Sequence, residues 1–398
     1  MSDEKRRILE MLERGTITQE DAARLLDALG ETLEDSSEPT PSFQWEEDPD
    51  PGVTVGQAME EARQAIRDAA QEAREAIDLA HQMGKEVARS VGEIFPKGEN
   101  TSFSMDLDTP LPLEENAYPE PDILDSITEV RVEWVNGPIE IRRWDGNTTR
   151  VAEYAKRPLK DRERMETTLK NGVLRIRWTR ETTFHGKLFL QKHLVVELPR
   201  ELPELKQFRL ETVSGEARIC GIQAGVLRLN TVSGMLEGQN LKGEEIRAES
   251  VSGQVGLTGV SAQKLRVGST SGQVSLDGIG AGELRGETVS GALEVKGNGE
   301  NISLHTVSGS LRLEVGQYPK TVKLNTVSGE ITMVLPEGDP GFTVEYGSMS
   351  RTLFSQFPLQ GSLGKKNGRA VYGQGGAWLK LNTVSGQMEL LHGEKQGS

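Results

Sequence analysis

Cysteine occurs once in the 398 residues, as Cys220, which excludes an internal disulfide framework and any site built from several thiolates. The five histidines, His81, His185, His193, His305 and His392, nowhere approach the short spacings of a metal-ligand set, so neither metal nor cofactor is expected. Aromatic residues make up only 5% and hydrophobic residues 35%, whereas glycine reaches 44. A chain so poor in large core residues and so rich in turn-formers is not composed like an ordinary α/β enzyme domain. No apolar run approaches the roughly 18 residues that a membrane span needs. The opening Met1-Ser-Asp-Glu-Lys-Arg-Arg7 leads into alternating charge and not into an apolar stretch. The expectation is a cytoplasmic protein without a secretory signal, peripheral at most to a membrane.

The formal charge of −15 is unevenly spread. Residues 1–125 hold 11 basic and 31 acidic side chains, a balance of −20, and 126–398 hold 35 and 30, a balance of +5. Within the latter, 126–200 carries 16 against 10. Such asymmetry predicts separate segments with separate roles.

Residues 1–30 read as a short helical hairpin. Ile8, Leu9, Met11 and Leu12 form one apolar stripe, and Ala22, Ala23, Leu25, Leu26 and Leu29 form another. Gly15 ends the first helix; Thr18 and Gly30 bracket the second. Residues 31–53 and 96–125 are acidic and proline-rich and read as linkers. Between them, 54–95 is predicted as one long helix. Met59, Ile66, Ala73, Ala80, Val87 and Ile94 recur at every seventh position, a seam suited either to self-association or to packing along the same chain.

The repeat is the dominant signal. Thr-Val-Ser-Gly or a near variant ends at Gly215, Gly234, Gly253, Gly272, Gly291, Gly309, Gly329 and Gly386, in successive steps of 19, 19, 19, 19, 18, 20 and 57. Gly347 and Gly368 fit as degenerate copies within the long step, and Gly137 and Gly172 as divergent early ones. A fixed period of roughly 20 residues predicts a solenoid. Seven positions before each Gly stand Phe208, Leu227, Ile246, Leu265, Leu284, Ile302, Val322 and Leu379, and apolar columns recur five before, two after and four after. Apolar positions two apart are strand alternation, so each coil is strand, Ser-Gly bend, strand and return. The glycine is expected to supply a positive φ. The hydroxyl column from Thr212 to Thr383 is expected to satisfy backbone groups at the bend. About eleven coils at roughly 4.8 Å each make a stack on the order of 50 Å long.

These tandem coils and the closing Gly375-Gly-Ala-Trp-Leu-Lys-Leu-Asn-Thr-Val-Ser-Gly386 resemble the bacterial putative-adhesin, or toast-rack, β-solenoid proteins. The opening Glu4-Lys-Arg-Arg-Ile-Leu-Glu-Met-Leu-Glu-Arg-Gly15 and its continuation to Leu29 resemble the SHOCT-like hairpin of their YvlB- and LiaX-like members. The resemblance implies a mainly β fold, the solenoid spanning 126–398. It also implies a non-enzymatic role in envelope or stress responses, alongside membrane-associated protein partners.

Chemistry of other kinds finds little footing. The motif serine recurs in every clear copy, whereas a nucleophile needs one serine beside one base. Neither G-x-S-x-G, G-x-G-x-x-G nor a phosphate-loop motif occurs. Glu211, Glu249 and Glu287 share an outward column but are separated by Asn230, Gly268 and His305, which makes a carbohydrate-active site the least favoured reading. One column stands apart. Six positions before each Gly come Arg209, Arg228, Arg247, Arg266, Arg285, Ser303, Lys323 and Lys380. Two unit charges about 5 Å apart in water repel by roughly 0.8 kcal/mol, so the column needs counter-charge. Either the neighbouring glutamates supply it by diagonal pairing, or a polyanion does. Aromatic residues for stacking bases are lacking along it, which argues against sequence-specific nucleic-acid reading. Two functions follow: a scaffold for protein partners that oligomerises through its helices, or a polyanion-binding module masked by the acidic N-terminal segment.

Overall fold

The computed structural model describes residues 111–393 apart from 112, 114, 125, 180–189, 349–352 and 365. The predicted hairpin of 1–30, the helix of 54–95 with its seam from Met59 to Ile94, and the linker 31–53 lie outside the described residues.

Alternation of apolar and polar side chains makes each coil of the Thr-Val-Ser-Gly repeat two strands joined at the Ser-Gly bend, and the coils stack in parallel register. Leu205–Ser214, Gln223–Thr231, Lys242–Ser250 and Ser261–Ser269 are the first strands of four successive coils. Phe208, Leu227, Ile246 and Leu265 sit directly opposite one another along this column. The second strands, Ala217–Cys220, Leu236–Gln239 and Val255–Thr258, stack the same way. In the middle, Val274–Thr288 and Leu293–Ser308 run from the second strand of one coil into the first of the next. All four predicted inward columns are buried and belong to one continuous apolar core. The two interruptions in those columns have a packing reason. A Cβ on Gly238 would meet the Leu257 and Leu241 side chains at 2.6 and 2.7 Å, and one on Gly286 would meet Leu293 and Leu304 at 2.9 Å. Neighbouring leucines already fill both spaces.

The bend glycines are needed for a different reason than φ. Positive φ occurs at Gly137 and Gly215 but at none of the later motif glycines. At these, the carbonyl of the glycine one coil below stands where a side chain would begin. A Cβ on Gly234, Gly253, Gly329 or Gly386 would lie 1.7 to 1.9 Å from that oxygen. The stacked hydroxyls behave partly as expected. Thr231, Ser250 and Ser269 accept hydrogen bonds from the N–H groups of Gly234, Gly253 and Gly272 at 3.1, 2.7 and 2.8 Å. The motif serines also bond one coil back: Ser233 and Ser252 donate to the carbonyls of Val213 and Val232 at 3.2 and 3.3 Å. The turn role of this serine is thereby explained by geometry.

Both ends depart from sequence order. At the first, Glu129–Asn136 pairs with Leu205–Ser214 on one side and with Val173–Arg177 on the other, so the later coil lies outermost. At the second, Ala377–Ser385 inserts between Thr321–Ser328 and Gly341–Ser348. Antiparallel strands then cover the exposed edges: Glu166–Lys170 and Arg150–Ala155 at one end, Asn367–Gly373 and Gln360–Leu363 at the other. Such caps prevent open-ended pairing of the outer coils.

Three assignments made from the repeat change. Gly172 does not form a bend; Asn171 and Gly172, both at positive φ, turn the hairpin from Glu166–Lys170 into Val173–Arg177. Gly347 lies in a genuine coil but stands opposite Asn382, not opposite a bend glycine. Gly368 sits in a capping antiparallel strand. The coil count stays near eleven, with 341–355 as a member and 368 not.

Candidate interaction face

The basic column is real as geometry. Arg209, Arg228, Arg247, Arg266 and Arg285 stand directly opposite one another, followed by Ser303, Lys323 and Lys380. Alternation points them away from the core, and strand spacing sets their separation at roughly 4.8 Å. The structure extends the ladder by two residues that the motif search missed: Arg131 is opposite Arg209, and Arg175 is opposite Arg131. Their coils lack the Thr-Val-Ser-Gly bend, so only the tertiary register aligns them. Past Lys380 the ladder ends in Glu345.

Counter-charge arrives along the strand at most paired positions and by the predicted diagonal at one, Arg175. Arg209, Arg247 and Arg285 each pair with the glutamate two positions on, Glu211, Glu249 and Glu287. Arg131 pairs with Glu129 at 2.9 Å and Arg175 with Glu133 at 2.5 Å. At Arg228 and Arg266 the equivalent positions are Asn230 and Gly268, and at Lys323 and Lys380 they are Asn325 and Asn382. These four cations are exposed and form no ion pair among the described residues. Their wider surroundings are mixed: Lys264 lies between Glu245 and Glu283 in the flanking column, and Glu345 stands opposite Lys380. Beside the two lysines runs a neutral ladder. Asn382 donates to the Asn325 side-chain oxygen at 2.9 Å, Asn325 Nδ2 lies 3.3 Å from His305 Nδ1, and His305 Nε2 lies 2.8 Å from Ser303 Oγ.

On the second-strand face, the first coils pair their charges among themselves. Arg142 bridges Glu140 and Glu197 at 2.5 and 2.8 Å, and Arg218, itself buried, bridges Glu216 and Glu237 at 2.8 and 3.1 Å. Burial raises the Glu237 carboxyl above its ordinary range against the pull of Arg218. Cys220 directs its thiol at Gln239 Oε1, 3.7 Å away, in keeping with a packed residue.

A buried ion pair at the first end was not anticipated. Lys192 and Glu153 have fully buried side chains 2.7 Å apart. The ammonium also donates to the carbonyls of Glu163, at 2.9 Å, and Trp178. It lies 5.0 and 4.4 Å from the ring centroids of Trp134 and Trp178. All three ammonium hydrogens therefore have acceptors, which makes this a fastening of the cap and not an open site. The sequence carries only the faint signal of a lysine within the apolar run Leu188–Val196.

The described residues contain no group of three or more His, Cys, Asp or Glu that could hold a metal ion, and no helix long and apolar enough to cross a membrane.

The fold is thus a capped parallel β-solenoid presenting one in-register charged face. The Toastrack DUF4097 family matches residues 127–391, and the chain belongs to it. A SHOCT-like domain matches residues 3–34. No curated protein matches. Among solved structures, similarity extends to a putative lipid binding protein from Parabacteroides distasonis, at 13% identity and a TM-score of 0.38, covering 70% of this chain and 98% of that one. A putative adhesin from Bacteroides fragilis is similar at 10% identity and a TM-score of 0.36, covering 70% and 98%. A putative cell adhesion protein from Clostridium sporogenes is similar at 9% and 0.20, covering 70% and 99%.

Proposed function

We propose that this protein is a non-catalytic interaction scaffold, working in a bacterial envelope or stress response from the cytoplasmic side, at or near the membrane. Copies assemble through the N-terminal helices along the seam Met59, Ile66, Ala73, Ala80, Val87 and Ile94, and the solenoid presents its charged face to membrane-associated protein partners. The observation that carries the reading is the ladder from Arg175 to Lys380, one regular outward column across successive coils. A surface that repeats at strand spacing offers an extended partner many equivalent contacts. The test is capture from the native bacterium with the wild-type chain and with Arg228→Ser/Arg266→Ser/Lys323→Ser/Lys380→Ser. A partner retained equally by both would remove the ladder from the interface.

A second reading is favoured by one observation: Arg228, Arg266, Lys323 and Lys380 lack ion-pair partners among the described residues. On this reading the ladder holds a polyanion, with affinity that falls as salt rises. Polyphosphate binding weakened by the fourfold variant, but not by Arg209→Ser/Arg247→Ser/Arg285→Ser, would support it. Equal effects of the two variants would refute it.

A further inference from the structure

The basic region of 126–200 has its exposed cations beside the point where the described chain begins. Between the strands Arg150–Ala155 and Glu166–Lys170 the chain makes a turn in which Lys156, Lys160 and Arg162 are exposed, with no ion pair among the described residues. Arg157 is held by Glu163 at 2.8 Å, and Asp161 is the remaining carboxylate of the turn. The chain enters the fold beside this turn. Asn116–Pro119 runs antiparallel to Arg150–Ala155 with Asn116 opposite Ala155, so one further step of the same register brings Glu115 to Lys156. The entering segment already binds basic residues. Glu120 lies 3.9 Å from Arg164, Asp122 lies 3.5 Å from Arg150, and the Arg164 guanidinium stands 5.0 Å from the Tyr118 ring centroid. The Tyr118 hydroxyl accepts the Leu159 N–H at 2.7 Å, and Leu111 is buried. Upstream, residues 98–115 contain Glu99, Asp106, Asp108, Glu114 and Glu115 and no lysine or arginine.

We propose that this acidic run, Glu99 to Glu115, docks on the turn Lys156–Arg162, continuing the contact that Glu120 and Asp122 begin. The chain's own acidic approach then neutralises the first cap and leaves the ladder from Arg228 to Lys380 open to an outside partner. Each exposed pair contributes only about 0–1 kcal/mol, so the contact depends on several acting together and on the short tether. It is accordingly sensitive to salt.

The experiment is carbodiimide coupling of carboxylates to lysines in the full chain, with isotopically mixed samples to separate coupling within one chain from coupling between chains. It is run at about 0.01 M and about 1 M salt, where the Debye length is roughly 30 Å and 3 Å. The expected result is Asp106 or Asp108 joined to Lys156 or Lys160 within one chain, with a yield several-fold lower at high salt. Coupling of these aspartates to Lys323 or Lys380, or to neither pair of lysines, would overturn the proposal. A second arm compares polyphosphate binding by the full chain and by Asp106→Asn/Asp108→Asn/Glu114→Gln/Glu115→Gln. The variant is expected to gain binding that is lost again with Lys156→Ser/Lys160→Ser/Arg162→Ser. A gain that instead depends on Lys323 and Lys380 would show that the run covers the ladder, and overturns the proposal. Failure of the ladder to bind any polyanion leaves the coupling result untouched, so the two readings fail separately.

Discussion

Replacing Gly253 with alanine tests the account of the coil bend. A Cβ there would lie 1.8 Å from the Gly234 carbonyl oxygen, while real side chains keep at least 3.0 Å, so the bend must open by the difference. The hydrogen bond from Ser252 N–H to the Val232 carbonyl, now 2.8 Å, and that from Val251 N–H to the Thr231 carbonyl, now 3.2 Å, would both pass beyond bonding range. Two lost bonds at about 1 kcal/mol each, with the strain of an overpacked bend, give a cost of roughly 2–4 kcal/mol. Two other glycines serve as controls. Gly256 has nothing within 4 Å of its would-be Cβ, so Gly256→Ala is expected to stay within about 0.5 kcal/mol of wild type. Gly278 has φ +62 but its nearest atom is 3.5 Å away, so Gly278→Ala carries only left-handed strain of about 1–2 kcal/mol. Asparagine tolerates that conformation, so Gly278→Asn should recover much of the loss, whereas Gly253→Asn should recover none. Urea midpoints give the ranking, and hydrogen exchange at Ser252 gives the local opening. Gly253→Ala as stable as Gly256→Ala would refute the close-approach argument.

Other perturbations test other parts. Lys192→Met should cost about 3–5 kcal/mol by stranding the buried Glu153 carboxylate, and thermal unfolding should show Lys192→Met/Glu153→Gln less impaired than the single change. Burial pushes the Tyr318 hydroxyl up to about 12, above its unfolded value near 10. The stability linked to this group is therefore fully present below about pH 10 and is lost as pH rises toward 12, by about 1–2 kcal/mol after allowing for its partial exposure. Absorbance titration of the phenolates should find one group ionising late, and the Tyr318→Phe protein should lack it. Light scattering should find the full chain oligomeric, and Ile66→Asp/Val87→Asp should make it monomeric; a monomeric wild type would remove the self-association reading.

The period, the strand alternation and the inward columns were legible because each coil repeats one local pattern, and a repeated pattern needs only its neighbours to be buried. The outward parity of the Arg column followed from the same alternation. What lay beyond the sequence depended on contacts between distant segments. Arg131 and Arg175 join the ladder only because Glu129–Asn136 stacks on Leu205–Ser214 and Val173–Arg177 stacks on Glu129–Asn136, out of chain order. The motif glycine is visible as a letter, yet its cause, the carbonyl of the glycine one coil earlier pressed against Cα, exists only once coils are stacked at strand spacing. Pairing of Arg209 with Glu211, and its absence at Arg228, was decided by the residue two places on and by side-chain reach, not by the diagonal geometry expected from column positions alone. Lys192 and Glu153 are far apart in the chain and meet because the strands of the cap bring their burial and their charges to the same point. Local periodicity thus determined the coil, the residue two places on decided which of its cations are paired along the strand, and long-range stacking decided its ends and its bends.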